Sequence, residues 1–137
     1  MSRLMSVSMT ADAVIERRKT VTRRKGWLFL KPGDRLTLCR KVQGRKAGEP
    51  LERLAEVEVT SVCREALWEL LRRDYAPTLR WRAPTDYAKR EVAREGFPGM
   101  DPAEFVQRFF QVAQRMSPMD EVTRIEWRYL DGEGVTR

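Results

Sequence analysis

The sequence predicts an α+β domain in which a small antiparallel or mixed β-barrel is flanked by α-helices. Three observations predict this class: several short segments alternate between apolar and polar residues, two of them are joined by a long polar loop, and helical segments separate the early strands from the late ones. The 137 residues suffice for one core that buries about two-thirds of the unfolded surface. We therefore expect one domain at 1–131, followed by a flexible tail at 132–137.

The beginning of the chain predicts a strand, a helix and an extended segment. Residues 4–9 are typical of a first strand, and Thr10 is a suitable cap for a helix that continues to about Lys19. Residues 20–22 are all β-branched, so they favour an extended conformation over a longer helix. A helix-to-strand corner is therefore expected near Lys19.

The next segments predict a pair of strands joined by a long hairpin loop. Residues 31–34 contain Pro-Gly and form a strong turn signal, so a strand should begin directly after them and cover 36–41. The alternation over 54–62 predicts its partner strand. Residues 42–51, rich in Gly, Lys and Arg, then form the mobile hairpin loop between them.

The second half of the chain predicts mostly helices. Residues 64–74 show helical periodicity, 75–85 show no clean period and are expected to be irregular, and 86–95 predict a short helix that breaks at 96–99.

The last two elements have clear signals. Asp101 and Pro102 begin a helix that reaches about Met116, because an acidic cap followed by proline at the first helical position is a typical start. The alternation over 123–129 predicts a half-buried strand that closes the domain. The apolar residues of this helix recur at helical spacing and are expected in the core: Phe105, Val106, Phe109, Val112, Ala113 and Met116.

The net charge of +7 is unevenly distributed. Residues 1–50 contain 13 Lys and Arg against 4 Asp and Glu, whereas 51–137 contain 14 against 16. Lys and Arg that neutralise phosphates release counterions, so this asymmetry predicts a partner that carries phosphate groups: RNA, a nucleotide or DNA. The alternatives are a solvated basic face and an acidic protein partner.

Histidine is absent, which removes the commonest general base, the usual zinc ligand and the Ser-His and Cys-His pairs. Any catalysis must use Lys, Thr, Ser, Tyr or carboxylates, and we predict neither a metal nor a cofactor. The apolar run at 27–30 is far shorter than the roughly 20 residues of a membrane-spanning helix. We therefore predict a cytoplasmic protein without membrane association, either a monomer or a dimer.

Most of the candidate functional side chains lie in residues 17–25. If 20–24 is extended, Thr20, Thr22 and Arg24 face one way and Arg23 the other, so that a hydroxyl and a guanidinium converge on one cleft. Trp27 is suited either to stacking on a pyrimidine or to the core. The candidate ligand-binding residues are Arg18, Thr20, Arg23, Arg24, Lys25 and Trp27, with Arg40, Lys41, Arg45 and Lys46 of the basic loop.

The order of these landmarks resembles the ASCH domains, a family of PUA-like β-barrels associated with RNA and nucleotide functions. The family's Gly-x-Lys-x-x-Glu-x-Arg segment corresponds here to Arg17, Lys19, Thr22 and Arg24, followed by the turn at 31–34. Two positions depart from the pattern, because Arg17 replaces the glycine and Thr22 the glutamate. The resemblance extends to 95–99, the helix at 101–116 and the closing strand at 121–126.

Thr22 makes the segment similar to the branch of the family that hydrolyses N4-acetylcytidine, whose Lys-Thr-x-Thr segment supplies a catalytic Lys and Thr. The resemblance implies a triad of Lys19, Thr22 and Glu95. A desolvated lysine can act as the base that activates a threonine, and Glu95 would orient Lys19 or protonate the leaving amine.

Four interpretations therefore stand side by side. The domain is a binding module for RNA or a nucleotide, an amidohydrolase that removes acyl groups from N4-acetylcytidine-type nucleosides, or a small protein that binds an acidic partner. In the fourth, Lys19 and Glu95 form a structural ion pair at the barrel mouth and Thr22 is a strand residue only.

Overall fold

The computed structural model describes residues 2–78 and 80–130, so the expected tail at 132–137 lies outside the described residues. The elements in chain order are β1 (Arg3–Ser6), a 3₁₀ turn (Ser8–Thr10), α1 (Ala11–Ile15), β2 (Val21–Arg24), β3 (Arg35–Cys39), β4 (Arg53–Ala66), α2 (Trp68–Leu71), β5 (Arg73–Ala76), β6 (Trp81–Pro84), α3 (Asp86–Arg94), α4 (Pro102–Val106), a π-helical segment (Gln107–Val112) and β7 (Glu121–Tyr129).

Within the described ranges, five strands form one mixed sheet in the order β1-β3-β4-β7-β2. β1 runs parallel to β3, and the other neighbours are antiparallel. Arg24 on outer strand β2 donates a hydrogen bond of 2.7 Å from Nη2 to the backbone oxygen of Ser6 on outer strand β1. Because this bond joins the two outer strands, the sheet must curl into a partly closed barrel. The α+β barrel expected from the sequence is therefore confirmed.

The core lies on both sides of the sheet in the described part of the chain. The alternation of β4 buries Ala55, Val57 and Val59 against apolar residues of β1, β3 and β7. A second cluster packs α2, α3 and α4 together around Leu70, Val92 and other apolar side chains. Removal of this apolar surface from water is the main force that holds the helices against the curled sheet.

The predicted helix at 64–74 and the predicted irregular segment at 75–85 were wrong. β4 continues to Ala66, where it pairs with Glu121 at the start of β7, so only Trp68–Leu71 remains helical. Pairing with the long strand β7 outweighs the local helical periodicity of these residues. The following residues form a small antiparallel hairpin, β5–β6.

The predicted helix after Asp101 begins at Pro102 as expected, but it does not keep one face inward. The π-helical segment inserts an extra residue per turn and rotates the faces that follow. Phe110 is consequently buried, whereas Val112, expected in the core, is 70% exposed. Phe105, Val106 and Met116 are buried as predicted, Ala113 is exposed and Phe109 is half-buried.

The first helix is also shorter than predicted, since α1 ends at Ile15 rather than near Lys19. Arg17 adopts a left-handed backbone conformation with φ 62°, which favours glycine. This is the position at which the ASCH pattern carries glycine. The sharp corner here directs the chain into β2, whose extended conformation is as predicted.

Candidate functional site

A cleft of about 310 Å³ lies at the opening of the barrel. It is bounded by the end of β1 and the 3₁₀ turn on one side, by β2 on another, and by the end of α3 and the π-helical segment on the third. The residues that line it are Ser6, Val7, Ser8, Met9, Thr10, Lys19, Thr22, Arg23, Arg24, Glu95, Phe97, Phe105, Phe109, Phe110, Ala113 and Gln114. The structure thus brings Lys19, Thr22 and Glu95 to one cleft.

Lys19 is held by its backbone as well as by its side chain. Its carbonyl oxygen accepts hydrogen bonds from Trp127 Nε1 at 3.0 Å and from the Tyr129 hydroxyl at 2.5 Å. Its Nζ donates to the backbone oxygen of Glu95 at 2.6 Å and to Glu95 Oε1 at 3.1 Å. The ammonium group is therefore fixed at the inner end of the cleft by a residue far away in the chain.

Glu95 occupies the end of α3, where Gly96 allows the chain to turn. Gly96 has φ +114°, and a Cβ built on it would lie 3.1 Å from Thr10 Cγ2 and 3.2 Å from Ala13 Cβ. A side chain at this position would push α3 away from the 3₁₀ turn and α1. The glycine therefore lets the end of α3 approach the rim of the cleft closely enough for Glu95 to reach Lys19.

Thr22 and Arg24 lie on the same face of β2, as the sequence predicts. Arg24 Nε donates to Thr22 Oγ1 at 3.1 Å, and Arg24 Nη2 donates to the Ser6 backbone oxygen. The threonine oxygen is thus an acceptor, and its own proton remains available for donation. A donor aimed at this oxygen favours negative charge on it.

The protonation of Lys19 is shifted by its surroundings. Burial lowers the pKa of the Lys19 ammonium, the positive charges of Arg24 and Arg23 lower it further, and Glu95 opposes the change. Burial also lowers the pKa of Arg24. Lys19 therefore releases its proton more easily than a lysine on the surface, which is what a general base requires.

Arg23 belongs to a buried ion-pair network at the wall of the cleft. Its side chain is fully buried, with Nε 2.9 Å from Glu65 Oε1, Nη2 2.6 Å from Glu91 Oε1 and Nη1 3.1 Å from Glu95 Oε2. Burial alone would lower the pKa of Arg23, but the three carboxylates raise it above its ordinary value. Arg23 lines the cleft, and its guanidinium contacts Oε2 of Glu95, whereas Lys19 contacts Oε1.

Glu91 anchors this network and was not identified from the sequence. Arg124 Nε donates to Glu91 Oε1 at 2.6 Å, and Arg94 Nη1 lies 3.3 Å from Oε2. Burial by itself would raise the pKa of Glu91, but the hydrogen bonds from Arg124 and Arg23 lower it to about 2. The available signal was the spacing of Glu91 and Glu95, which places two carboxylates on one face of α3.

Four phenylalanine rings form the apolar wall of the cleft. The sequence predicted two of them, Phe105 and Phe109, as core residues and did not single out the other two. Phe97 and Phe109 have ring centroids 4.9 Å apart, and Phe105 lies 5.4 Å from Phe109 and 5.7 Å from Phe110. The rotation of the π-helical segment places Phe109 at the edge of the cleft instead of deep in the core. An aromatic wall therefore faces the polar groups of β2 and α3.

Arg18 and Arg40 lie at a second, polar pocket of about 190 Å³ beside the cleft. The two pockets share Ser8, Met9 and Thr10 in their linings, so they are neighbours on either side of the 3₁₀ turn. Arg18 Nε pairs with Glu16 at 2.6 Å and Arg40 Nε with Glu52 at 3.0 Å, and all four side chains are largely exposed.

The remaining predicted binding residues lie outside the cleft. Thr20 accepts a hydrogen bond of 3.2 Å from Arg94 Nε, and Trp27 packs against the core with its ring 5.4 Å from that of Phe29. The other four are cations that do not line the cleft: Lys25, Lys41, Arg45 and Lys46. Their role in ligand binding stays a prediction.

Within residues 2–78 and 80–130 no group of three or more His, Cys, Asp or Glu side chains is arranged to hold a metal ion. The helices of the same ranges are all too short or too polar to cross a membrane.

The fold is similar to two solved structures. The crystal structure of an ASCH domain from Lactobacillus crispatus JV V101 aligns with a TM-score of 0.58 and 12% identity, covering 93% of this chain and 79% of that one. The structure of ASCH from Zymomonas mobilis aligns with a TM-score of 0.51 and 13% identity, covering 91% of this chain and 65% of that one. Neither a family model nor a curated protein sequence matches the chain. The chain therefore has the PUA-like fold of ASCH domains.

Proposed function

We propose that this domain of ASCH fold binds a nucleotide or a modified nucleoside, free or within RNA, in the cleft between its outer strands. The observation that carries the proposal is the pairing in one cleft of a polar end, formed by Lys19, Thr22, Arg24 and Glu95, with a wall of phenylalanine rings. A nucleoside has the same division, since its base has an apolar face and an edge of hydrogen-bonding groups.

The size and chemistry of the cleft support this ligand class. About 310 Å³ lies at the lower end of the range of roughly 300–1,000 Å³ typical of small-molecule sites. Aromatic side chains stack on bases, and stacking contributes about 1–3 kcal/mol per base. Lysine and arginine at the inner end donate to carbonyl or ring-nitrogen acceptors on the edge of the base.

Arg18 and Arg40 supply a place for the phosphate of a nucleotide. Their pocket adjoins the cleft at the 3₁₀ turn, and arginine binds phosphate through two parallel hydrogen bonds. In this arrangement the base lies against the phenylalanine wall and the phosphate lies towards Arg18 and Arg40.

Calorimetric titration with cytidine, N4-acetylcytidine and cytidine 5′-monophosphate tests this proposal. We expect Phe109→Ala to weaken the binding of all three ligands. The double variant Arg18→Gln/Arg40→Gln should weaken the binding of the monophosphate alone. Phe29→Ala, at an exposed phenylalanine outside the cleft, is the matched control and should bind like the wild type. Equal loss in Phe29→Ala and Phe109→Ala, or no binding of any ligand by the wild type, would refute the proposal.

A second candidate function is an amidohydrolase that acts on N4-acylated cytidine in the same cleft. A specific observation favours it: a buried lysine with a lowered pKa lines the cleft together with Thr22, whose oxygen accepts a hydrogen bond from Arg24. The resemblance to the branch with Lys-Thr-x-Thr assigns catalysis to these same positions, with Glu95 as the third residue.

The reaction would proceed in two steps, acylation of Thr22 and hydrolysis of the acyl ester. Neutral Lys19 takes the proton of Thr22, Oγ1 attacks the carbonyl carbon of the amide, and the C–N bond breaks as the exocyclic nitrogen receives a proton from Lys19. Water then hydrolyses the acyl-threonine ester and releases the carboxylic acid. Arg24, which already donates a hydrogen bond to Oγ1, stabilises negative charge at the reacting oxygen. Glu95 positions the Lys19 amine.

Release of cytidine from N4-acetylcytidine, followed by liquid chromatography, tests the second function. We expect Lys19→Met to lower the rate by about 10²–10⁴-fold, and Thr22→Val to abolish the acyl-enzyme route while preserving the shape of the side chain. Thr60→Val is the control, because Thr60 is an exposed threonine on β4 outside the cleft. A common background rate for the wild type and both cleft variants would refute catalysis and leave the binding proposal intact.

A further inference from the structure

The β5–β6 hairpin carries exposed aromatic rings that the core does not use. Tyr75 is 61% exposed and Trp81 is 62% exposed, and neither belongs to the two apolar clusters. Two strands without a buried face are marginal by themselves. Large aromatic side chains left in water on such a hairpin indicate a surface that is covered by a partner.

The hairpin is also strongly basic, although the second part of the chain has an excess of acidic residues. Residues 72–82 contain four arginines and one aspartate. Tyr75 lies directly opposite Arg82 in the hairpin register, and Arg73, two residues earlier, lies on the same face. One face of the hairpin therefore carries an aromatic ring and two guanidinium groups.

These two arginine side chains are held by backbone groups. Arg73 Nε donates to the Arg82 backbone oxygen at 3.4 Å, and Arg82 Nη1 donates to the Arg73 backbone oxygen at 3.3 Å. Backbone carbonyls position the two side chains but do not neutralise them, and no ion pair among the described residues involves either arginine. The positive charge on this face is available to a polyanion.

We propose that this hairpin surface, formed by Arg73, Tyr75 and Arg82, binds single-stranded nucleic acid, with RNA as the expected partner. A base stacks on Tyr75 and the flanking phosphates contact the two arginines, which is the combination used by proteins that bind single strands. A duplex keeps its bases stacked on each other, so it cannot use the tyrosine in this way.

The position of the hairpin relative to the cleft extends the proposed function from one nucleotide to a strand. β6 ends next to Thr85, the cap at the start of α3, and Glu95 lies at the other end of the same helix. Nine helical residues rise about 14 Å, the length of roughly four stacked nucleotides. A mononucleotide in the cleft is too short to cover this length, whereas a strand of more than about four nucleotides is long enough.

Fluorescence anisotropy with a 5′-fluorescein-labelled 12-nucleotide RNA tests the surface, with the same sequence as single-stranded DNA and as an RNA duplex for comparison. We expect Tyr75→Ser to weaken binding of the single strand about 5- to 140-fold. Tyr75→Phe should retain wild-type affinity, because the ring is kept. Arg73→Gln/Arg82→Gln should reduce the slope of log K against log salt by about 1.4, at roughly 0.7 per phosphate contact.

The matched control is Lys31→Gln/Arg128→Gln, which removes the same charge at side chains that are 78% and 52% exposed elsewhere. Equal weakening by the two double variants would mean that net charge alone acts, and would overturn the proposal. Binding of the duplex as tight as that of the single strand would overturn it too, as would a dimer in sedimentation equilibrium that Tyr75→Ser dissociates while RNA affinity is unchanged.

These measurements test the hairpin proposal and the cleft proposal separately. The hairpin variants should bind cytidine 5′-monophosphate like the wild type, because that ligand occupies only the cleft. If the wild type binds the 12-nucleotide RNA through Tyr75 but not the monophosphate, the cleft proposal fails and the hairpin proposal stands. If the monophosphate binds and Tyr75→Ser leaves the RNA affinity unchanged, the hairpin proposal is overturned alone.

Discussion

Replacement of Glu91 by glutamine should destabilise the domain and change how its stability depends on pH. Glu91 is 1% exposed and lies within 2.6 Å of both Arg23 and Arg124. Glu91→Gln keeps the size of the side chain but removes its charge, so two buried guanidinium groups lose their shared counterion. Arg23 also contacts the Glu95 carboxylate.

The magnitude follows from the pKa of Glu91, which lies at about 2 in the folded protein against an ordinary 4.5. At about 1.4 kcal/mol per unit, the charged form of Glu91 contributes about 3 kcal/mol to the free energy of unfolding near neutral pH. Because the folded-state pKa is lowered, this contribution is complete above about pH 5 and is lost as the pH falls towards 2. The range of about 3–5 kcal/mol known for broken buried ion pairs is similar.

Urea denaturation of the wild type and Glu91→Gln at pH 7, 5 and 3.5 measures this effect. We expect a difference of about 3 kcal/mol at pH 7 that shrinks by about 1.4 kcal/mol at pH 3.5, since protonated glutamate resembles glutamine. The control Glu104→Gln removes an exposed carboxylate that lies 3.9 Å from Arg108 and should cost less than about 0.5 kcal/mol. A difference that is constant with pH, or equal to that of the control, would show that Glu91 does not anchor the network.

Three further predictions concern the rim of the cleft, the register of the last helix and the proposed general base, Lys19. Gly96→Ala should cost at least about 1 kcal/mol more than Gly99→Ala in urea denaturation, because both glycines have positive φ but only at Gly96 would a Cβ meet other atoms within 4 Å; equal costs would contradict the close approach of α3. Phe110→Ala should cost about 3–5 kcal/mol and Val112→Ala less than about 0.5 kcal/mol, whereas an unbroken helix would reverse this order. If the amidohydrolase activity is found, its rate should rise with pH through a Lys19 pKa below the ordinary 10.5, since the base acts only when deprotonated; a rate independent of pH between 6 and 10 would exclude Lys19 as the base.

The opening between the outer strands explains why the candidate site lies where it does. A fully closed barrel would pair β1 with β2 through backbone hydrogen bonds and fill the gap. Here the contact between these strands is made by the Arg24 side chain instead, and the space beside it is the cleft. A substitution that removes this guanidinium therefore affects both the closure of the sheet and the polar end of the site.

Local sequence signals determined the parts of the site that are close together in the chain. The β-branched residues before Arg23 predicted the extended segment that places Thr22 and Arg24 on one face, and the turn at 31–34 predicted the start of β3. These predictions succeeded because turn geometry and side-chain alternation depend on neighbouring residues only. The resemblance to the ASCH pattern added the expectation that Glu95 joins them.

Only the tertiary structure decided which distant groups meet. The contact of Lys19 with Glu95 joins residues 76 positions apart, and the burial of Arg23 among three carboxylates depends on the packing of α3 against the sheet. Pairing with β7 extended β4 beyond the end that the sequence predicted for β4. The π-helical segment moved Phe109 to the edge of the cleft. Periodicity along a chain reports which face of an element is apolar, whereas long-range pairing and the competition for buried polar partners determine what that face contacts.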